Sequence, residues 1–300
     1  MRQTNHTHRS SRTGFTLVEI LVVLAIIALL LSLTTAAVQR VRVTQMVRTS
    51  ENVVSKIQMG LDNQVTVIAD NVRRESQNGG SADFNNLKPF CDNDPDRTAA
   101  VLLYCRLRQN FPQTQAELAA PSFTVGAVTF TRPLAFTAIA GVTGTPQQVS
   151  AAALYAALSG QTQGGKTFEA DEALSGAQID IPLGAVSARV FKDGWGNPIP
   201  FVRFFQSAEL DAPPFCDGKF GTGPAPGKDP FDAWAKIYGW TTNPTNKNTL
   251  QTTLGYTAAS WGRNTTVLVY SWGLDKAPGT ADDILGYRLR SIGAKGGPKQ

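Results

Sequence analysis

Histidine is nearly missing from this 300-residue chain: there are two, His6 and His8, both within the first 14 residues. If that stretch is removed, no mechanism that needs imidazole survives, including Ser-His-Asp hydrolysis, Cys-His proteolysis and His-ligated zinc. Acidic residues are missing from the same stretch, which carries Arg2, Arg9 and Arg12. Proline is missing from Phe15 to Lys88, so nothing there need interrupt a helix. Charged residues make up only 17% and hydrophobic residues 42%, which excludes a disordered or collagen-like chain. The formal net charge is +5, and beyond residue 14 the balance is 25 basic against 23 acidic residues, or +2 over 286. So small an excess, with no basic cluster among aromatics, gives nucleic-acid binding no support. Nucleophile elbow, P-loop and dinucleotide fingerprint are all lacking.

What the chain does have is concentrated at its start. Behind the cationic leader come Gly14-Phe15-Thr16-Leu17-Val18-Glu19 and an unbroken apolar run from Ile20 to Leu31. From Phe15 to Leu33 a helix would rise roughly 28 Å at 1.5 Å per residue, close to the thickness of a bilayer's hydrocarbon core. The basic leader orients such a helix with its start in the cytoplasm and the body outside. Thr34-Thr35-Ala36-Ala37 would suit cleavage of an ordinary secretory signal. Glu19 argues against that reading. A carboxylate in a membrane segment costs roughly 2.5–3.5 kcal/mol on insertion scales, and a discarded signal has no use for it.

The order Gly14, Phe15, Glu19 and apolar run resembles the class III signal of type IV pilins and type II secretion pseudopilins. The resemblance implies cleavage between Gly14 and Phe15 by a prepilin peptidase, N-methylation of Phe15, and retention of the apolar helix. It implies an assembly role for Glu19, pairing with the Phe15 amine of a neighbouring subunit. Partners would be other pilin-like subunits and the inner-membrane assembly machinery.

Val43, Val47, Val54, Ile57, Leu61, Val65, Ile68 and Val72 recur at helical spacing, with Ser50 filling the one gap, and predict an amphipathic helix packed on the protein's own sheet. Arg73-Arg74 and Asn78-Gly79-Gly80 read as its end. Asp92-Asn93-Asp94-Pro95-Asp96 fails the EF-hand pattern, with Arg97 where glycine is needed, and reads as a solvated turn. Phe123–Phe130 and Leu134–Ala140 read as strands, and Ser150–Leu158 as an Ala-rich helix. Val186–Phe191 and Ile199–Phe205 read as strands flanking the turn 192–198, with Trp195 plugging one end of the core. That Asp-Gly-Trp-Gly-Asn-Pro turn is similar to turns in pseudopilin globular domains. Five prolines and four glycines mark Asp211–Asp232 as an exposed loop. Thr265–Trp272 and Ile284–Ser291 read as the last two strands.

Between those two, Asp275, Asp282 and Asp283 share one turn and are hard oxygen donors, which favour calcium over zinc. The loop is similar to the calcium loop of major pseudopilins, a resemblance that adds the carbonyls of Trp272 and Thr280 to the ligand set. Ala277 and Lys276 depart from it, and a solvated acidic turn is the alternative. The three cysteines, if exported, meet an oxidising space in which Cys91 and Cys105 could pair, leaving Cys216 over as a free thiol or an intermolecular partner; a different pairing and three free thiols are the alternatives.

The expected architecture is α+β: a long N-terminal helix on an antiparallel sheet with long inserted loops. Its parts are a removed leader (1–14), a membrane and filament-core helix (15–37), an amphipathic stem (38–78) and an extracytoplasmic pilin-like domain (79–300). The expected function is a structural subunit, not an enzyme, of a secretion pseudopilus or type IV pilus. The alternative is an exported or membrane-anchored enzyme or binding protein using an ordinary signal.

Overall fold

The computed structural model describes residues 16–77, 79–160, 174, 176–216, 218–220, 223–256, 260–277, 279–280 and 282–292. The chain divides into two compact units, Met1–Gln45 and Met46–Gln300. Helix α1, Leu17–Ser76, runs through both stretches of sequence without a break.

In the first unit the apolar side chains of α1 are exposed on every side: Leu17 79%, Leu24 60%, Leu33 61%. In the second unit α1 buries one face, with Val47, Ser50, Val54, Ile57, Leu61, Ile68 and Val72 all covered. The predicted stripe is therefore the core face, except that Val43 lies outside it and stays exposed. Ser50 is not a flaw in the stripe. Its hydroxyl donates to the Met46 carbonyl and accepts from the Gly194 amide at 2.8 Å, seating the 193–197 turn on the helix. A Cβ at Gly194 would run into the Met46 backbone, so this close approach requires glycine.

After α1 the chain turns through Gly79 and Gly80, both at positive φ, and Ser81 caps α2 (Ala82–Leu87). A 3-10 turn leads to α3 (Pro95–Asn110) and the short α4 (Gln115–Ala119). Hairpin β1 (Ser122–Val125) and β2 (Val128–Thr131) follows, then α5 (Pro146–Ser159), closed at its start by a Thr145–Gln148 capping box. Strands β3 (Gln178–Leu183) and β4 (Val186–Phe191) form a second hairpin. A third antiparallel sheet orders β5 (Phe201–Phe205), β6 (Thr266–Ser271) and β7 (Ile284–Leu285). Helix α6 (Pro244–Leu254) lies between β5 and β6 in sequence, and α7 (Gly286–Ile292) follows β7. The class is α+β as expected, with the strands divided among three small sheets.

One core cluster joins the α1 stripe to α5, β4, β5 and β6, and another joins Val72 to α2, α3, the first hairpin and α6. Gln58, 1% exposed, fastens α1 to β6: its Nε2 donates to the Val267 carbonyl and its Oε1 accepts from the Val269 amide, both at 2.8 Å. This side-chain amide serves backbone groups that the two-residue β7 is too short to reach.

Several expectations are corrected. Leu134–Ile139 is a 3-10 helix, not a strand; it opens after Pro133, buries Phe136 and leaves Leu134 89% exposed. The last strand stops at Leu285, because Gly286 brings the backbone flush against Gln58 and the chain coils into α7. Strands β4 and β5 do flank a turn, closed by the Lys192–Pro198 bridge, yet they part immediately into different sheets. Trp195 is half-buried against the first cluster, in keeping with its role as a plug. The 92–96 stretch is largely exposed, as expected, but two of its acids are also tied down by hydrogen bonds. Asp94 caps α3, while Asp92 accepts from Trp240 Nε1, Thr242 and Arg97. The described part of the 211–232 stretch is a loop with all five prolines exposed, as expected, but it also buries charge: Asp211, Lys228, Asp229 and Asp232 are all at most 4% exposed.

Candidate functional site

At the start of α1, Thr16 and Glu19 form a capping box. The Thr16 amide and hydroxyl both donate to Glu19 Oε2 at 2.8 Å, and the Glu19 amide donates back to Thr16 Oγ1 at 3.3 Å. The signal was legible as Thr-x-x-Glu before an apolar run, but sequence reasoning had assigned Glu19 a role only between subunits. Glu19 also lies in the first turn, where the helix dipole favours negative charge. It is the sole ionisable residue from Thr16 to Gln39. Gly14 and Phe15, the expected cleavage and methylation positions, lie outside the described residues. The helix carries a stretch with mean hydropathy 2.8 and no buried residue, long and apolar enough to cross a membrane.

The acidic loop after β6 is closed by its own hydrogen bonds. Asp282 Oδ2 accepts from the amides of Leu274 (2.6 Å) and Asp275 (3.3 Å), and Oδ1 from the Thr280 hydroxyl. Asp275 Oδ1 accepts from the Ala277 amide, and Asp283 Oδ2 from those of Gly279 and Thr280. Burial raises the Asp282 pKa, but the Thr280 hydroxyl and the two amides outweigh it and hold the carboxyl below its usual range. Burial pushes Asp283 up, with Asp282 and Asp275 adding repulsion against its amide partners. Among the described residues no three His, Cys, Asp or Glu side chains stand together as a metal group. Asp275 and Asp282 meet at the Thr280 hydroxyl, at 3.4 and 2.8 Å, while Asp283 Oδ1 is buried and has no hydrogen-bond partner among the described residues.

Cys91 and Cys105 are buried in the same core cluster as free thiols, and Cys216 is half-buried. Burial pushes the Cys91 thiol up to about 12 and the Cys105 thiol higher still. In that form neither is a nucleophile at neutral pH.

Sequence reasoning missed the acids of the 211–232 segment, because nothing local distinguishes a buried aspartate in a Pro/Gly-rich stretch from a solvated one. Asp211 pairs with Lys228 at 3.2 Å and Arg263 at 2.9 Å. Asp232 accepts from the amides of Lys236, Ile237 and Tyr238. Asp229 accepts from the Tyr104 hydroxyl and the Phe231 amide.

Residues 9–35 match the family model described as the prokaryotic N-terminal methylation motif, the signature of type IV pilins and pseudopilins. The match covers the end of the basic N-terminal stretch, the capping box and the apolar run. No curated protein matches the chain, and no solved structure matches it either.

Proposed function

We propose that this chain is a prepilin, cut between Gly14 and Phe15, N-methylated on Phe15, and assembled into a type II secretion pseudopilus or a type IV pilus. The observation that carries the reading is a single acid, Glu19, in the first turn of a helix whose first, apolar stretch is exposed on every side and bears the methylation motif. The motif supports a pilin-like structural subunit, and the helix fits a single-pass inner-membrane anchor. The body then stands on the periplasmic side and later on the filament surface.

The chemistry follows from the two charges. Cleavage leaves a cationic amine on Phe15, four residues before Glu19, at the positive end of the helix dipole. Two opposite unit charges about 4 Å apart attract by roughly 4 kcal/mol at an effective dielectric near 20. That offsets the roughly 2.5–3.5 kcal/mol cost of the carboxylate in lipid. Within one chain Glu19 is occupied by Thr16. In a filament it would exchange that partner for the amine of a neighbour, and the exposed apolar side chains would be covered by other helices instead of lipid.

The test is the intact mass of the mature protein. A chain beginning at N-methyl-Phe15 is expected. A start near Ala37 or Val38 would identify an ordinary secretory signal and sink the filament reading.

Calcium is a subordinate proposal. Asp275, Asp282 and Asp283, with the Trp272 and Thr280 carbonyls, are the donors such an ion would draw on, exchanging amide hydrogen bonds for oxygen coordination. The buried, unpartnered Asp283 Oδ1 favours this reading. Calcium-dependent protease resistance of the 272–283 loop would support it, and resistance unmoved by chelator would remove it.

A further inference from the structure

Three aspartates of the 211–232 segment are equally buried yet differently neutralised. Asp211, 1% exposed, has two cations, Lys228 and Arg263. Asp232 has three backbone amides. Asp229, also 1% exposed, has one phenol and one amide and, among the described residues, no cation, and sits where Tyr104, Phe231, Tyr256 and Trp261 pack their rings. A carboxylate there is desolvated without a compensating charge, which favours its neutral form.

The surroundings offer no relief. From α3 comes the Tyr104 hydroxyl, itself 3.4 Å from the Tyr256 hydroxyl. From its own segment come Asp232, which repels it, and Lys228, whose ammonium is spent on Asp211 and the Gly223 carbonyl. From β5 comes Arg203, committed to Glu117 and the Phe111 carbonyl. From the stretch before β6 come Arg263, bound to Asp211, and Thr265.

We infer that Asp229 is a pH-sensitive latch, whose neutral carboxyl docks the segment around residues 223–240 onto Tyr104 of α3 and whose ionisation loosens it. Burial, strengthened by Asp232 and only partly opposed by Tyr104 and the Phe231 amide, pushes the carboxyl up to about 7. An acid raised in the folded state stabilises fully below the ordinary carboxyl range, and that contribution is lost as pH climbs to the raised value. The latch is therefore closed in acid and loosest from about neutral upward, with opening increasing about tenfold per pH unit in between. This device is independent of the filament reading, since it concerns the body of the protein alone.

The test is hydrogen exchange of the full chain in detergent at pH 5 to 8, corrected for intrinsic rates, following peptides across 225–240 with α5 as reference. Opening of 225–240 relative to α5 is expected to rise about tenfold per unit between pH 5 and 6.5. Asp229→Asn, which keeps one carbonyl acceptor and cannot ionise, is expected to lose that slope. The same slope in Asp229→Asn would assign it to another group and overturn the proposal, as would an equal shift in α5. Should Asp229→Asn fail to fold, carboxyl NMR of the unaltered chain decides: titration near 7 upholds the latch, and titration at or below 4 overturns it.

Discussion

The two stretches of α1 lie in one helix and solve opposite problems. Between Leu17 and Gln45 the apolar side chains face outward all round, so this unit requires an apolar surrounding that it does not make itself. Between Met46 and Ser76 the apolar positions narrow to one stripe, which α5 and the strands of the same unit cover, leaving Val54, Ile57 and Leu61 at 0% exposure. Polar residues mark the contrast as clearly. In the first stretch Glu19 answers to a neighbour three residues away; in the second, Ser50 and Gln58 bind backbone more than 140 residues distant. An apolar run seeks a medium, whereas an apolar stripe seeks a partner.

Glu19→Val should break the first stretch most severely: membrane insertion is retained, and filament assembly is lost. Membrane fractionation beside filament counts measures both, and normal filaments would remove Glu19 from the assembly mechanism. Next, Leu61→Ala should cost the body about 2–5 kcal/mol in chemical unfolding, as a fully buried leucine does. Leu24→Ala, at 60% exposure, should leave the same transition unmoved. Equal effects would erase the distinction between the stretches. Gly194→Ala should cost about 1–3 kcal/mol, because the added methyl meets helix backbone that cannot move aside. Thermal unfolding reads it directly, and a neutral result would show that the turn is not seated on Met46 and Ser50. The smallest effect belongs to Thr16→Val, which removes the cap hydroxyl and should cost about 0.5–2 kcal/mol, confined to the first turn. Amide exchange in micelles should show fraying at Leu17–Ile20, with the body unchanged.

The methylation motif and the stripe of α1 were legible because both are local. Six consecutive residues and an apolar run specify the first, and a repeat of three or four residues specifies the second. Gln58 was not legible, since a glutamine on a core face has no meaning until β6 and the truncated β7 are beside it. Nor was the end of β7: Ile284–Ser291 alternates well enough for a strand, but the approach of Gly286 to Gln58 turns the chain into α7. The acids show the same limit. Asp275, Asp282 and Asp283 were noticed because they are close in sequence. Asp211, Asp229 and Asp232 were passed over because their partners come from Arg263, Tyr104 and a turn that only folding forms.

By itself the sequence determined that the chain begins with a membrane-competent helix, where its single acid lies, and which face of its continuation is buried. Periodicity and charge placement act over one or two helical turns and need no distant residue. Tertiary structure alone decided which aspartates are buried and what neutralises each of them, because desolvation depends on everything packed around a group. That dependence makes Asp229 an acid of unusual proton affinity while Asp211, eighteen residues earlier and equally buried, is held by two cations.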